Sequence, residues 1–188
     1  MAKAIHLATQ QNYYFHVPEF DITEDQRNIL IDRFKKDHYE KSEGEWFEQL
    51  DGEQSQTFLY YPSGISVVKD IFNEEKIKQL INLCKQGKHG DNQQQEPFDY
   101  LYCQGPVKKH TDELRSAVLT IPLILNNETS LEFWDDDGKI VKNTLTYNYK
   151  TFIFDSKTRH SVNYKGNIPK PRLFWQGSIF DIIGDYKT

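Results

Sequence analysis

His110 and Asp112 stand two residues apart in the stretch KKHTDELRSAV, just ahead of a long apolar run. On a β-strand, residues i and i+2 face the same side, so this spacing can present an imidazole and a carboxylate to one ion. An ion held from one side keeps its other side open for chemistry. The pattern recurs, because three of the six histidines have an acid two places on: His38 with Glu40, His89 with Asp91, and His110 with Asp112. Context separates them. His38 and Glu40 fall at the end of an expected helix, where residues two apart point in different directions. A histidine there is explained by the partial negative charge of the helix C-terminus. His89 and Asp91 flank Gly90 in a polar loop, the composition of a helix cap and turn. Only His110 and Asp112 lie where a strand is expected.

A third ligand has to come from elsewhere in the chain, and His160 in DSKTRHSVNY is the candidate. It follows the aromatic strand TFIFD and opens another strand-like run. The intervening segment has room for about four strands, enough to return to the same end of a β-sandwich. Two histidines and one carboxylate on one face of a metal form the ligand set of non-haem Fe(II) oxygenases. A catalytic zinc site with three protein ligands is the chemical competitor. Arg172 sharpens the choice. It starts the strand that returns after a loop containing Gly166, Pro169 and Pro171. If His160 and Arg172 occupy the two arms of one hairpin, four residues of strand put them about 13 Å apart. That is the span of a five-carbon dicarboxylate chelating the metal at one end and meeting a guanidinium at the other. Arginine suits the second contact because its planar fork grips a carboxylate with two parallel hydrogen bonds. Zinc-dependent hydrolysis has no use for such a group.

The elements that must position these residues are readable from periodicity. Thr23 and Gln26 form a capping-box pattern for a helix expected over residues 23–39, with Ile29, Leu30 and Phe34 as its apolar stripe. Asn73 is the expected N-cap of a second helix over 74–86, in which Ile77, Leu80, Ile81 and Cys84 are buried. Between them, SEGEWFEQLDGEQSQ reads as a polar connector, followed by strand-like TFLYY and ISVVKD on either side of Pro62, Ser63 and Gly64. From Asp99 onward, DYLYCQ, SAVLTIPLIL, SLEFWD, KIVKNTLTYNY, TFIFD, HSVNY and RLFWQGSIFDII are strand candidates, and DDDGK is a tight hairpin turn. Many short strands with turn signals indicate a sandwich, barrel or jelly roll. The expectation is one domain. Residues 1–98 supply helices and flanking strands packed on the outside of one sheet, and residues 99–183 form a jelly-roll core.

Composition agrees with a β-rich fold, since twelve Phe and eleven Tyr outweigh a modest apolar fraction of 37%. The formal charge of −5 argues against general nucleic-acid or membrane-surface binding. No apolar run reaches the length of a membrane-spanning helix, and the opening MAKAIHLATQQNYY lacks the hydrophobic stretch of a secretory signal. Cys84 and Cys103 are too few for a disulfide framework and lack CxxC spacing, so they read as reduced, buried thiols. A cytoplasmic protein is expected, and nothing in the sequence specifies an oligomeric state.

With His110, Asp112, His160 and Arg172 in this order, the chain resembles the Fe(II)- and 2-oxoglutarate-dependent dioxygenases built on a double-stranded β-helix, over roughly residues 99–182. The runs RSAVLTIPL and FIFD…RHSV are similar to the prolyl- and aspartyl/asparaginyl-hydroxylase-like branch. The resemblance implies Fe(II) held by His110, Asp112 and His160, and 2-oxoglutarate as cosubstrate with its far carboxylate on Arg172. It implies O2 as oxidant, a peptidyl or small-molecule substrate hydroxylated at a C–H bond, and release of succinate and CO2. It also implies a tyrosine shortly before the first histidine, directed at the cosubstrate. Tyr102, eight residues before His110, takes that role here, ahead of Tyr100. Arg115 either reaches the cosubstrate or a substrate carboxylate, or is an exposed charge at a strand edge. Asp135, Asp136 and Asp137 have calcium-binding chemistry but read as a solvated turn. Trp134, Phe152, Phe154 and Trp175 read as core aromatics. Two other classes stay open: a cupin-like metalloenzyme that ignores 2-oxoglutarate, and a non-catalytic jelly-roll binding module in which His110 and His160 need not converge.

The three rival pairs generate a direct test. Asp112→Ala is expected to abolish tight Fe(II) binding, because it removes the only carboxylate from the ligand set. Replacement of His89 and Asp91 together, or of His38 alone, is expected to leave iron binding intact. Anaerobic iron titration of the three variants, with circular dichroism to verify folding, checks this. Loss of iron in the His89/Asp91 variant alone would show that the wrong pair was chosen.

Overall fold

The computed structural model describes residues 13–39, 48–51, 54–84, 97–112, 115–125, 129–141, 145–146, 148–164 and 171–179. Among these, the strands form two antiparallel sheets. The larger sheet has the spatial order β1 (Tyr14–His16), β9 (Phe152–Asp155), β6 (Ala117–Ile124), β11 (Arg172–Ile179), β4 (Phe98–Gln104), β3 (Gln54–Pro62) and β2 (Glu48–Asp51). The smaller sheet has the order β5 (Val107–His110), β10 (His160–Tyr164), β7 (Thr129–Phe133) and β8 (Leu145–Thr146). Two helices, α1 (Glu24–Phe34) and α2 (Glu74–Leu83), accompany them. No helix among the described residues is long and apolar enough to cross a membrane.

The near-continuous apolar runs of β6 and β11 require cover on both faces, and both strands are buried along almost their whole length. Period-two alternation divides the burial. Ala117, Leu119, Ile121 and Leu123 of β6, with Leu173 and Trp175 of β11, join the core that contains Leu30 and Phe34 of α1 and Leu80 of α2. Val118 faces the other way, packing with Leu131, Phe133, Phe154 and Val162 between the two sheets. The helices therefore lie outside the larger sheet, as expected from the sequence. Leu30 and Leu80 are fully buried, and each contributes about 1.5–3 kcal/mol of burial free energy.

The local signals for both helices hold. The Thr23 side chain accepts from the Gln26 backbone N–H, and the Gln26 side chain accepts from the Thr23 backbone N–H, which closes the capping box. Asn73 caps α2 by accepting from the Lys76 backbone N–H. The first helix stops sooner than its periodicity predicts, because residues 35–39 widen into a π-helical turn. In that turn His38 packs against Tyr61 and Phe34, at 4.7 and 5.6 Å between ring centroids.

Other segments correct the sequence reading. The polar connector contains β2 and the first part of β3, paired from Glu48↔Thr57 to Asp51↔Gln54. A strand at the edge of a sheet tolerates polar residues on both faces, so composition hides it. The Asp51-Gly52 dipeptide is the hairpin signal it leaves. ISVVKD is no strand: Gly64, at φ +65, turns the chain into a 3-10 helix over Ile65–Val68. Fully buried Val68 and the hydrogen bond from Arg33 to the Val67 carbonyl hold it there, overriding its β-branched composition. Within KIVKNTLTYNY only Leu145–Thr146 is strand among the described residues. The DDDGK turn is as expected, with Asp135 N–H donating to the Lys139 carbonyl at 3.0 Å and Gly138 at φ +78.

Gly177 lies against Cys84, the C-cap of α2. A methyl group there would lie 2.5 Å from Cys84 Sγ and 3.2 Å from Phe98 Cε1. Both cysteines are buried free thiols, and burial raises the pKa of each. Gly177→Ala is expected to destabilise the protein by about 1–3 kcal/mol through overpacking. Cys84→Ala in the same chain should return part of that loss, since it removes the clashing sulfur. Denaturant unfolding of the double-mutant cycle tests the contact, and strictly additive effects would refute it.

Candidate metal centre

His110 ends β5 and His160 begins β10, and the two are direct cross-strand partners in the smaller sheet. Among the described residues, β6, β7, β8 and β9 intervene in the chain, matching the return path expected from the sequence. The two rings lie 4.4 Å apart between centroids. His110 Nε2 is 3.7 Å from Asp112 Oδ1, and one ligand atom from each of His110, Asp112 and His160 falls within 4.8 Å of the others. Strand alternation does not bring Asp112 into place, because β5 stops at His110. Asp112 lies in the connection to β6, and its backbone N–H donates to the Ser156 carbonyl at 2.8 Å.

Each histidine is oriented by its own chain. His110 Nδ1 lies 2.8 Å from the Lys108 carbonyl, and His160 Nδ1 lies 2.8 Å from the Thr158 carbonyl. A carbonyl only accepts, so Nδ1 carries the proton in both rings and Nε2 keeps its lone pair for an ion. Burial lowers the pKa of His160, opposing the raising effect of the Thr158 hydrogen bond, so this ring rests neutral. Asp112 is steadied from the other side: Arg115 Nε donates to its Oδ2 at 2.8 Å, leaving Oδ1 beside His110.

The turn between β9 and β10 supports both ligand-bearing segments. Fully buried Ser156 accepts from Asp112 N–H through its carbonyl, donates its N–H to the Ser116 carbonyl, and donates its hydroxyl to the Arg115 carbonyl at 2.7 Å. Asp155 orders the same turn by accepting from the N–H groups of Lys157 and Thr158 and from the Thr158 hydroxyl. Neither residue stood out in the sequence; the signal available was the Asp-Ser-Lys-Thr run, whose side chains favour local turn bonds.

The pocket beside the ligands runs between the sheets, and Arg172 lines it. Only 1% exposed, Arg172 donates from Nη2 to the Gly105 carbonyl at 2.6 Å. Its buried Nη1 has no hydrogen-bond partner among the described residues. The hairpin geometry expected for this residue is corrected: β10 and β11 belong to different sheets, so Arg172 and His160 border the pocket from opposite walls.

Two further expectations are corrected. Tyr102 does not join the pocket. On β4, Leu101 and Cys103 face it, so alternation sends Tyr102 to the helix side, where it stacks on Phe34 with centroids 6.3 Å apart. Arg115 is no exposed edge charge: it is largely buried and lines the pocket. Its three nitrogens reach Asp112 Oδ2, Ser178 Oγ and Tyr60 Oη. Burial works against its charge, but Tyr60, Asp112 and Asp99 more than offset that and keep it protonated. Tyr60, absent from the sequence reading, is the tyrosine that lines the pocket. Glu40, His89 and Asp91 lie outside the described residues.

No protein-family model matches the sequence, and no curated protein is significantly similar to it. Solved structures share its fold. A prolyl-4-hydroxylase from Pseudomonas putida superimposes with a TM-score of 0.57 at 14% identity, over 96% of this chain and 98% of that one. The non-heme alpha ketoglutarate dependent epimerase SnoN from nogalamycin biosynthesis gives 0.58 at 11%, over 96% and 83%. A Trichoplax adhaerens prolyl hydroxylase, solved with a hypoxia inducible factor peptide fragment, gives 0.54 at 12%, over 94% and 89%. At these identities the likeness is one of fold, and the fold is the double-stranded β-helix, or jelly roll, expected from the sequence.

Removal of the Ser156 hydroxyl isolates the role of the shared turn. Ser156→Ala is expected to lower stability by about 1–2 kcal/mol, since it leaves the Arg115 carbonyl unmatched. It should also weaken divalent-metal binding roughly tenfold by loosening the segment that carries Asp112. Urea unfolding and a Co(II) absorption titration measure the two effects; a variant that matches wild type in both would remove Ser156 from this role.

Proposed function

We propose that the protein is an Fe(II)- and 2-oxoglutarate-dependent dioxygenase that hydroxylates a C–H bond of a peptidyl or small-molecule substrate. One observation carries the reading. A cluster of two imidazoles and a carboxylate shares a pocket with a buried arginine, one of whose donors has no partner among the described residues. The donor set suits Fe(II), because neutral imidazoles and one carboxylate are the facial ligands of non-haem iron sites. A buried guanidinium with a spare N–H suits a carboxylate from outside the chain. When bound, Fe(II) with 2-oxoglutarate and O2 supplies the oxidising chemistry, yielding succinate, CO2 and a hydroxylated product.

The chain's own residues do the rest. His110 and His160 would hold the iron through Nε2, and Asp112 through the oxygen that Arg115 leaves unbonded. Arg172 would anchor the far carboxylate of the cosubstrate and fix its direction in the pocket. Leu131, Phe154, Val162 and Phe174 form apolar walls that exclude water and strengthen these electrostatic contacts. A binding module without metal has no need of the convergence of His110 and His160. A cupin-like metalloenzyme leaves Arg172 Nη1 unexplained.

Iron-loaded protein is expected to bind 2-oxoglutarate and to release succinate slowly even without its substrate. Arg172→Ala should weaken 2-oxoglutarate binding by about 2–4 kcal/mol while leaving iron affinity nearly unchanged. Anaerobic calorimetry and a succinate-release assay provide the measurements. Equal cosubstrate affinity in wild type and Arg172→Ala would remove Arg172 from the site, and absence of both binding and turnover would refute the oxygenase reading.

A further inference from the structure

Of the two buried thiols, Cys103 alone borders the pocket. Cys84 lies on the helix side of the larger sheet, packed in the core with Phe98. Alternation along β4 turns Leu101 and Cys103 to the pocket and Tyr100 to the helices. Cys103 is also the direct cross-strand partner of Arg172 in the β4–β11 register. Facing pairs of this kind hold their Cβ atoms about 4.5–5.5 Å apart, so the thiol and the base of the Arg172 side chain stand side by side on one wall.

A buried cysteine is by itself an inert filler of space. At this one a second observation points to a ligand. Arg172 is 1% exposed, donates through Nη2 to the Gly105 carbonyl, and keeps a buried Nη1 with no hydrogen-bond partner among the described residues. A buried guanidinium in that condition calls for an anion from outside the chain. Cys103 feels the same charge. Burial raises the thiol pKa of both cysteines; it acts alone at Cys84, whereas at Cys103 the Arg172 cation works against it.

We propose that Cys103 is a covalent modification site for α,β-unsaturated dicarboxylates, which Arg172 would hold by one carboxylate beside the thiol. That the anchored ligand is a dicarboxylate rests on the cosubstrate role proposed for Arg172 above. Addition forms a bond between Sγ and one alkene carbon and moves the thiol proton to the other, so nothing is oxidised and no group leaves. The thiolate is the attacking form, and burial keeps it scarce. Anchoring offsets that scarcity, because a bound electrophile meets the sulfur as a neighbour rather than by collision. A neutral electrophile gains no such help. The adduct would fill the space in which Arg172 meets 2-oxoglutarate, so modification would shut the cosubstrate out.

The test treats the Mn(II)-loaded full chain at mildly alkaline pH with fumarate and, in parallel, with acrylamide as an electrophile without charge. Mass spectrometry of the intact chain and of its peptides locates the adducts. Fumarate is expected to add once, at Cys103 and not at Cys84, and excess 2-oxoglutarate should suppress the addition. Arg172→Ala should slow fumarate by about tenfold, the loss of one charge-assisted contact, without slowing acrylamide. Acrylamide labelling of Cys84 exposes any variant that has unfolded, and protection by 2-oxoglutarate tests the anchor with no substitution at all. Calorimetry on the fumarate adduct should show 2-oxoglutarate binding lost. Absence of an adduct at Cys103, equal modification of Cys84, or a rate indifferent to 2-oxoglutarate and to Arg172→Ala would overturn the proposal. Protein that binds 2-oxoglutarate but takes up no fumarate sinks the thiol site alone; failure to bind 2-oxoglutarate sinks the oxygenase reading beneath it.

Discussion

Ser156 ties the segment that carries Asp112 to the turn that leads into His160, and the geometry of the candidate metal centre depends on that junction. The two histidines need little help, because a β5–β10 register pair places them side by side. Asp112 has no strand to hold it. Its backbone is pinned by the Ser156 carbonyl, and Arg115, which orients its carboxylate, is itself fixed through the Ser156 hydroxyl. Three hydrogen bonds at one fully buried residue thus fix a loop position beside the two histidines. Such support around the ligands sets how tightly a site holds its metal.

The same logic of division runs along β11. Leu173 and Trp175 weld the sheet to the helices, while Arg172, Phe174 and Gln176 face the pocket. One strand therefore serves stability on one face and chemistry on the other. The packed face is strict enough that Gly177 has no room for a side chain against Cys84. The pocket face is the reverse, for it carries Arg172, whose buried Nη1 has no hydrogen-bond partner among the described residues. Burying a charge without a full set of partners is unfavourable by several kcal/mol, and a fold keeps such groups only where packing elsewhere offsets them. Local rules broken in this way cluster where a ligand completes them.

Much of this protein was readable from the sequence by itself. The β-rich jelly roll, both helix caps and the DDDGK turn follow from residue type, spacing and order, and so does the convergence of His110, Asp112, His160 and Arg172 on one pocket, though not by the strand alternation that suggested it for Asp112. These are local or periodic signals, and no alternative packing changes what a capping box or a two-residue alternation means. Of the two rival pairs only His38 lies among the described residues, and it is packed among aromatics at a helix end.

Tertiary structure decided what local signals cannot carry. Spacing from His110 points to Tyr102 and says nothing of Tyr60, but the face that β4 turns to the pocket excludes the first, and pairing of β3 with β4 admits the second. The sequence leaves Arg115 open between a cosubstrate or substrate contact and an edge charge, because nothing nearby in it shows that Tyr60 and Ser178 lie around it. The polar β2–β3 edge and the 3-10 turn at Ile65–Val68 were likewise set by neighbours distant in the chain. Ser156 carries no motif at all; its place in the structure arises only from which backbone groups lie opposite it. Hydrogen bonds and registers between remote segments are properties of the folded chain, and only the fold brings their partners within reach.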